Sequence, residues 1–107
     1  MTSALQVFTT TGDRDEADAI AQRLVEQQLA ACVQVIGPIT STYRWEGAVE
    51  SGIEWLCIIK TDEAQWEAVE QAIRELHSYD VPEIVAMPIT VGHTPYLAWL
   101  KDAVRRS

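Results

Sequence analysis

Basic residues are scarce: eight Lys and Arg against sixteen Asp and Glu leave a net charge of −8. Nucleic-acid affinity comes mainly from Lys and Arg on phosphate, so a nucleic-acid partner is excluded. An anionic membrane surface is disfavoured for the same reason. Long hydrophobic runs are missing too, with nothing near the roughly 20 apolar residues that span a bilayer. Met1-Thr2-Ser3-Ala4 lacks the basic and apolar regions of a signal peptide, which points to a cytoplasmic protein. The two cysteines, Cys32 and Cys57, are expected to stay reduced there. No pair among Cys32, Cys57, His77 and His93 has the close spacing of a structural zinc site. Gly-rich phosphate loops, nucleophile elbows and zinc-protease helices are absent, as are repeats, low-complexity tracts and linkers.

What remains is an ordinary globular composition, 48% hydrophobic over 107 residues, expected to form one domain across residues 1–107. Leu5–Thr11 reads as a strand broken by Gly12. Asp13 then caps a helix, with Glu16 completing a capping box, and Ala17, Ile20, Ala21, Leu24 and Val25 form its apolar stripe. Cys32–Val35 begins a second strand, interrupted at Gly37-Pro38 and resumed through Ile39–Trp45. Glu46-Gly47 is the turn, and Ile53–Thr61 returns. Gly37-Pro38 and Gly52 mark bulges or bends. Asp62 and Gln65 open the next helix, which buries Trp66, Val69, Ile73 and Leu76. A strand from Ile84 follows, then Thr94 as N-cap and Pro95 at the first position of a last helix, closed by Arg105 and Arg106. Strand, helix, strand, strand, helix, strand is the ferredoxin-like βαββαβ pattern of an α+β sandwich, here with a C-terminal helix. Acylphosphatases share that fold class, but their glycine-rich anion loop with its arginine is not evident between Thr9 and Asp15.

One stretch, Leu76–Ile89, gathers a histidine, two carboxylates, a tyrosine and an apolar strand. Pro82 stops the helix before it. Pro88 donates no ladder hydrogen bond, which places that strand at a sheet edge or a bulge. Trp55–Ile59 and Ile84–Met87 do not alternate with polar residues, so the sheet face away from the helices is apolar as well. Each hairpin arm of about 14 residues also outruns the first strand. Both features call for cover from other subunits, and an oligomer is expected.

Leu29-Ala30-Ala31-Cys32-Val33, Tyr43-Arg44-Trp45-Glu46-Gly47, Ile58-Ile59-Lys60-Thr61, Leu76-His77 and Val81-Pro82-Glu83-Ile84 resemble the CutA family of divalent-cation tolerance proteins. Gly92 followed by Tyr96-Leu97-Ala98-Trp99-Leu100 is similar to that family's C-terminal signature. The chain departs from the pattern at Gln34, Ser78 and Asp80, where the family usually has asparagine, proline and glutamate. The resemblance implies a cytoplasmic homotrimer shaped like the PII signalling proteins, with hairpin arms wrapping neighbours. It also implies a role in tolerance of copper and other divalent metals.

The expected function is therefore a non-enzymatic metal-linked binding or signalling protein with intersubunit clefts. No cofactor is obligatory, and copper or another divalent cation is expected to bind weakly if at all. The alternative is a PII-like sensor of a small organic anion held by Lys60 and Arg44; a third reading is a hydrolase using Glu83 and His77 as acid and base. Candidate cleft residues are Cys32, Tyr43, Arg44, Trp45, Lys60, His77 and Glu83, with Cys32 and His77 as metal candidates. Three have a plainer reading: Cys32 as a small buried hydrophobe, His77 as a helix C-cap, Trp45 as a subunit contact. With Cys32 and Glu83 expected to begin strands at the same end of the sheet on opposite edges, they would meet only between chains, Cys32 of one facing His77 and Glu83 of another.

Overall fold

The computed structural model describes residues 2–105; Arg106, read as favouring the end of the last helix, lies outside them. The order is β1 (Ala4–Thr11), α1 (Arg14–Glu26), β2 (Cys32–Trp45), β3 (Ala48–Asp62), a single 3-10 turn at Glu63–Gln65, α2 (Trp66–Leu76), β4 (Ile84–Pro88) and α3 (Thr94–Ala103). The sheet runs β2-β3-β1-β4 with every neighbouring pair antiparallel, which is the ferredoxin-like arrangement. Pro88 closes edge strand β4 opposite Leu5, as a residue without an N–H should.

Strand alternation divides the sheet into two chemically different faces. Val7, Cys57 and Ile59 point to the helices and are buried with Ala17, Ile20 and Leu24 of α1 and Val69, Ala72 and Ile73 of α2. Each of these larger side chains contributes about 1.5–3 kcal/mol on leaving water. Phe8, Leu56, Ile58, Val85 and Met87 alternate to the opposite face, where no helix of the α1–α2 layer covers them. At one end of the sheet α3 packs against β3 and β1, burying Leu100.

The hairpin turns at Glu46-Gly47, with φ of 49° and 82°, the double positive φ of a two-residue turn whose twist matches the strands. Its register slips once, between Ile36 and Ile39, so that Gly37 and Pro38 stand against the single residue Trp55. That bulge moves Cys32 opposite Lys60 and Cys57 opposite Val35, one place from an unbulged pairing. Gly52 carries no bulge and pairs regularly with Ser41. The hairpin accounts for the long dimension of the molecule, 44 Å. β1 pairs only with β3 residues from Trp55 to Asp62, leaving the outer half as a two-stranded ribbon.

Two caps differ from expectation. Asp13 caps α1 by accepting from the Asp15 amide at 2.8 Å, but Glu16 does not reach back to it. α3 begins one residue early, with His93 rather than Thr94 in the N-cap position and no side-chain cap. Asp62 accepts from the Ala64 amide at 3.0 Å and opens a 3-10 turn, and buried Gln65 donates to the Arg105 carbonyl at 2.7 Å.

Candidate functional site

α2 ends at Leu76, and the His77 amide closes it by donating to the Ile73 carbonyl at 2.9 Å. The His77 ring then turns inward, with its side chain fully buried. Its Nε2 lies 2.7 Å from the Thr10 carbonyl, an acceptor, so Nε2 carries the proton and donates. Its Nδ1 accepts the Tyr79 amide at 3.1 Å. Both ring nitrogens are thus engaged within the chain. The third neighbour is Glu16, whose Oε1 accepts from the Ser78 amide at 3.1 Å. Glu16 Oε2 is buried without a hydrogen-bond partner, 3.6 Å from His77 Nδ1.

Tyr79 extends this cluster to β3 by donating its hydroxyl to Glu54 at 2.9 Å, and its ring lies 4.8 Å from that of His77. Desolvation, then the Glu54 carboxylate, pushes the Tyr79 phenol up to about 12. Nearby, the Cys57 thiol donates weakly to the Ala17 carbonyl; burial, helped by the Asp18 and Glu16 charges, pushes it up to about 11. Glu16, Glu54 and Thr10 were not among the residues anticipated here. The capping-box pattern assigned Glu16 a local partner, whereas its real ones lie about 60 residues on. Gly12 was the available hint, since a Cβ there would stand 2.9 Å from the Tyr79 hydroxyl.

The structure does not gather the other candidates. β2 runs antiparallel to β3 and therefore parallel to β1, so β2 and β4 oppose each other in direction. Cys32 consequently sits in one row with Lys60, Gln6 and Met87, level with the end of β4. Glu83, at the start of β4, is at the diagonally opposite corner, which corrects the expectation of a shared end. In this structure the His77 ring is buried with both nitrogens bonded, so it neither turns outward toward a neighbouring chain as expected nor offers a free nitrogen to a metal. Cys32 is half-buried on the open face, near Tyr96 of α3, whose phenol is pushed up by burial and then by Cys32.

Lys60 donates to Gln34 at 3.0 Å, and Arg44 to the Gly47 carbonyl at 3.4 Å. Opposite Cys32 and Val49 respectively, these cations are separated by eleven residues of β3 numbering (60 against 49). That is about 36 Å of strand, so one chain alone does not bring them together. Tyr43 and Trp45 are exposed toward the hairpin tip, as is Glu83 before β4. Among the described residues, no three His, Cys, Asp or Glu side chains come together as a metal site.

A four-stranded ferredoxin-like sandwich with a doubled-length hairpin and a helix closing one sheet end defines the class. Comparison with known proteins narrows it. The family described as CutA1 divalent ion tolerance protein matches residues 5–103, and the chain belongs to that family. It is 42% identical over 96 residues to the divalent-cation tolerance protein CutA of Thermus thermophilus, covering 90% of this chain and 93% of that one. Against the chloroplastic CutA of Arabidopsis thaliana it is 41% identical over 95% of its own length, but spans only 56% of the plant protein. A crystal structure of CutA1 from Shewanella sp. SIB1 superposes with a TM-score of 0.95 at 40% identity, covering 98% of each chain. The Thermus thermophilus structure gives 0.93 at 39% identity, covering 95% of this chain and 99% of that one. No helix among the described residues is long and apolar enough to cross a membrane.

Proposed function

We propose that the chain forms a homotrimer and serves divalent-cation tolerance as a non-enzymatic binding or signalling protein acting through clefts between subunits. The uncovered apolar surface carries this reading. Phe8, Leu56 and Ile58 line the open face, Val85 and Met87 continue it to the β4 edge, and Trp45 and Val49 are 56% and 66% exposed at the hairpin tip. Contiguous patches of this kind mark association sites, and a closed ring of identical subunits covers them without leaving an open end. The outer hairpin, which has no third strand in its own chain, would then take its packing partners from a neighbour.

Copper and other divalent cations would contact such clefts rather than a site inside one subunit. The names of the relatives, divalent-cation tolerance proteins, support the cation class. Half-buried Cys32 is the soft ligand this chain offers, and exposed Glu83 the hard one. Tyr43, Arg44, Trp45 and Lys60 supply cleft walls, while His77 acts from behind by fixing the turn before β4. Two free cysteines suit a reducing compartment, and the cytoplasm is the proposed location; the Arabidopsis relative is named chloroplastic and an Archaeoglobus fulgidus structure periplasmic.

Sedimentation at micromolar concentration tests the assembly, with a folded monomer refuting it. Titration calorimetry with copper and zinc on wild type, Cys32→Ser and Glu83→Gln tests the clefts. Loss of copper heat in Cys32→Ser trimers is expected; unchanged heat in both variants would refute cleft ligation.

A further inference from the structure

We propose that His77 is a proton-operated latch: neutral, it holds the turn between α2 and β4 by the Tyr79 amide, and protonated, it releases that amide and pairs with Glu16 instead. In the structure Nδ1 accepts the Tyr79 N–H at 3.1 Å while Nε2 donates to the Thr10 carbonyl at 2.7 Å. A doubly protonated imidazole has two donors and no acceptor. The Nε2 contact survives protonation unchanged. The Nδ1 contact cannot, because two N–H groups would then face each other.

The acceptor for the new proton is already in place. Glu16 Oε2 is 3.6 Å from Nδ1 and is buried with no partner, while its other oxygen is held by the Ser78 amide at 3.1 Å. A buried carboxylate oxygen left unpaired is costly, and protonated His77 relieves that cost with a charge-assisted bond. The balance is simple: one proton enters at Nδ1, one N–H···N bond breaks, and one N–H···O bond forms. The freed Tyr79 amide turns to water, which an exposed residue can reach.

Other charges around the ring do not compete for this role. From β1 the ring meets the Thr10 carbonyl. Glu75, in the last turn of α2, is paired with Arg23 at 2.6 Å, and Arg74 is exposed. From β3, Glu54 reaches the cluster only through the Tyr79 hydroxyl at 2.9 Å. Tyr79 is therefore tied at both ends, by its amide to α2's terminus and by its hydroxyl to the root of the hairpin. Releasing the amide uncouples the turn from the hairpin.

The test is nitrogen-15 NMR on the intact oligomer. The His77 ring should pass from an Nε2–H neutral tautomer to a doubly protonated ring as the solution is acidified. Over the same range the Tyr79 amide protection factor should fall by roughly fivefold or more, the factor for one hydrogen bond of ordinary net strength. Glu16→Gln keeps the Ser78 contact but removes the anionic acceptor, and should move both transitions together to more acidic pH. His77→Gln should abolish the pH dependence of Tyr79 protection, provided its near-ultraviolet spectrum shows it folded. Three results overturn the latch: Tyr79 protection that ignores His77 protonation, a Glu16→Gln protein whose transitions do not move, or a ring that stays neutral down to the acid unfolding of the protein.

Discussion

Of the five Gly→Ala changes open to this chain, Gly37→Ala should be the most damaging. A Cβ at residue 37 would lie 2.3, 2.7 and 2.8 Å from Cδ1, Cγ and Nε1 of Trp55. Non-bonded carbons rest at about 3.5–4.0 Å, so the indole or the bulge must retreat by roughly 1 Å. Neither moves freely. Trp55 packs against the buried core, and Gly37 sits in the bulge that sets the register of the outer hairpin. Overpacking of this kind costs about 1–3 kcal/mol. Taking about 2 kcal/mol and a urea slope of about 2 kcal/mol/M, the unfolding midpoint should drop by about 1 M.

Two companions isolate the cause. Gly52→Ala adds a methyl 3.8 Å from the Tyr43 hydroxyl, an ordinary contact, and should leave the midpoint unchanged or slightly raised. Trp55→Leu removes the indole, so Gly37→Ala in that background should cost about 0.5 kcal/mol or less. Wild type and the four variants must be compared at one protomer concentration, because assembly contributes to apparent stability. An unshifted midpoint in Gly37→Ala, or the same shift with and without Trp55, would refute the steric account.

Trp45→Ala should weaken assembly more than Trp66→Ala, since Trp45 is exposed at the hairpin tip and Trp66 packs against the α2 side of the core; sedimentation and helical dichroism read the two effects. With its thiol pushed up to about 11, Cys57 should resist a thiol reagent at pH 8, so the native protein should show no more than one of its two cysteines, and the unfolded protein both. The raised Tyr79 phenol stabilises the folded state in its neutral form, so its contribution is complete below about pH 10 and is lost as pH rises through about 12. Phenolate absorbance should locate that titration, and Glu54→Gln should move it back toward the ordinary tyrosine range.

Where the fold was legible, local chemistry and tertiary structure agreed. Glu46-Gly47 reads as a turn and is one, because positive φ at two successive positions is what its twist needs. Gly37-Pro38 reads as an interruption and becomes the bulge. The apolar face without a helix was visible in the unbroken run Trp55–Ile59. Strand direction was harder: the placement of Cys32 and Glu83 at one end of the sheet failed because β2 runs along β1 while β4 runs against it, a property of the topology that no residue in either strand encodes. The Glu16 pairing was hidden for a related reason. An acidic residue in a helix's first turn satisfies several local roles, and only the folded position of His77 selects among them.

The first strand in the chain lies inside the sheet, between β3 and β4. Its backbone is paired on one side by residues as far on as Asp62 and on the other by residues out to Pro88. While the chain is being synthesised, β2 and β3 can therefore zip together as a hairpin long before β1 has both of its neighbours. An extended segment holding Val7 and Phe8 must wait, half-paired at best, until nearly the whole domain has left the ribosome. Loop-closure entropy makes these distant pairings the slow ones. Order of emergence thus runs opposite to position in the sheet: the earliest strand is the last to be enclosed, and the window in which it can be captured by something else spans most of this domain's synthesis.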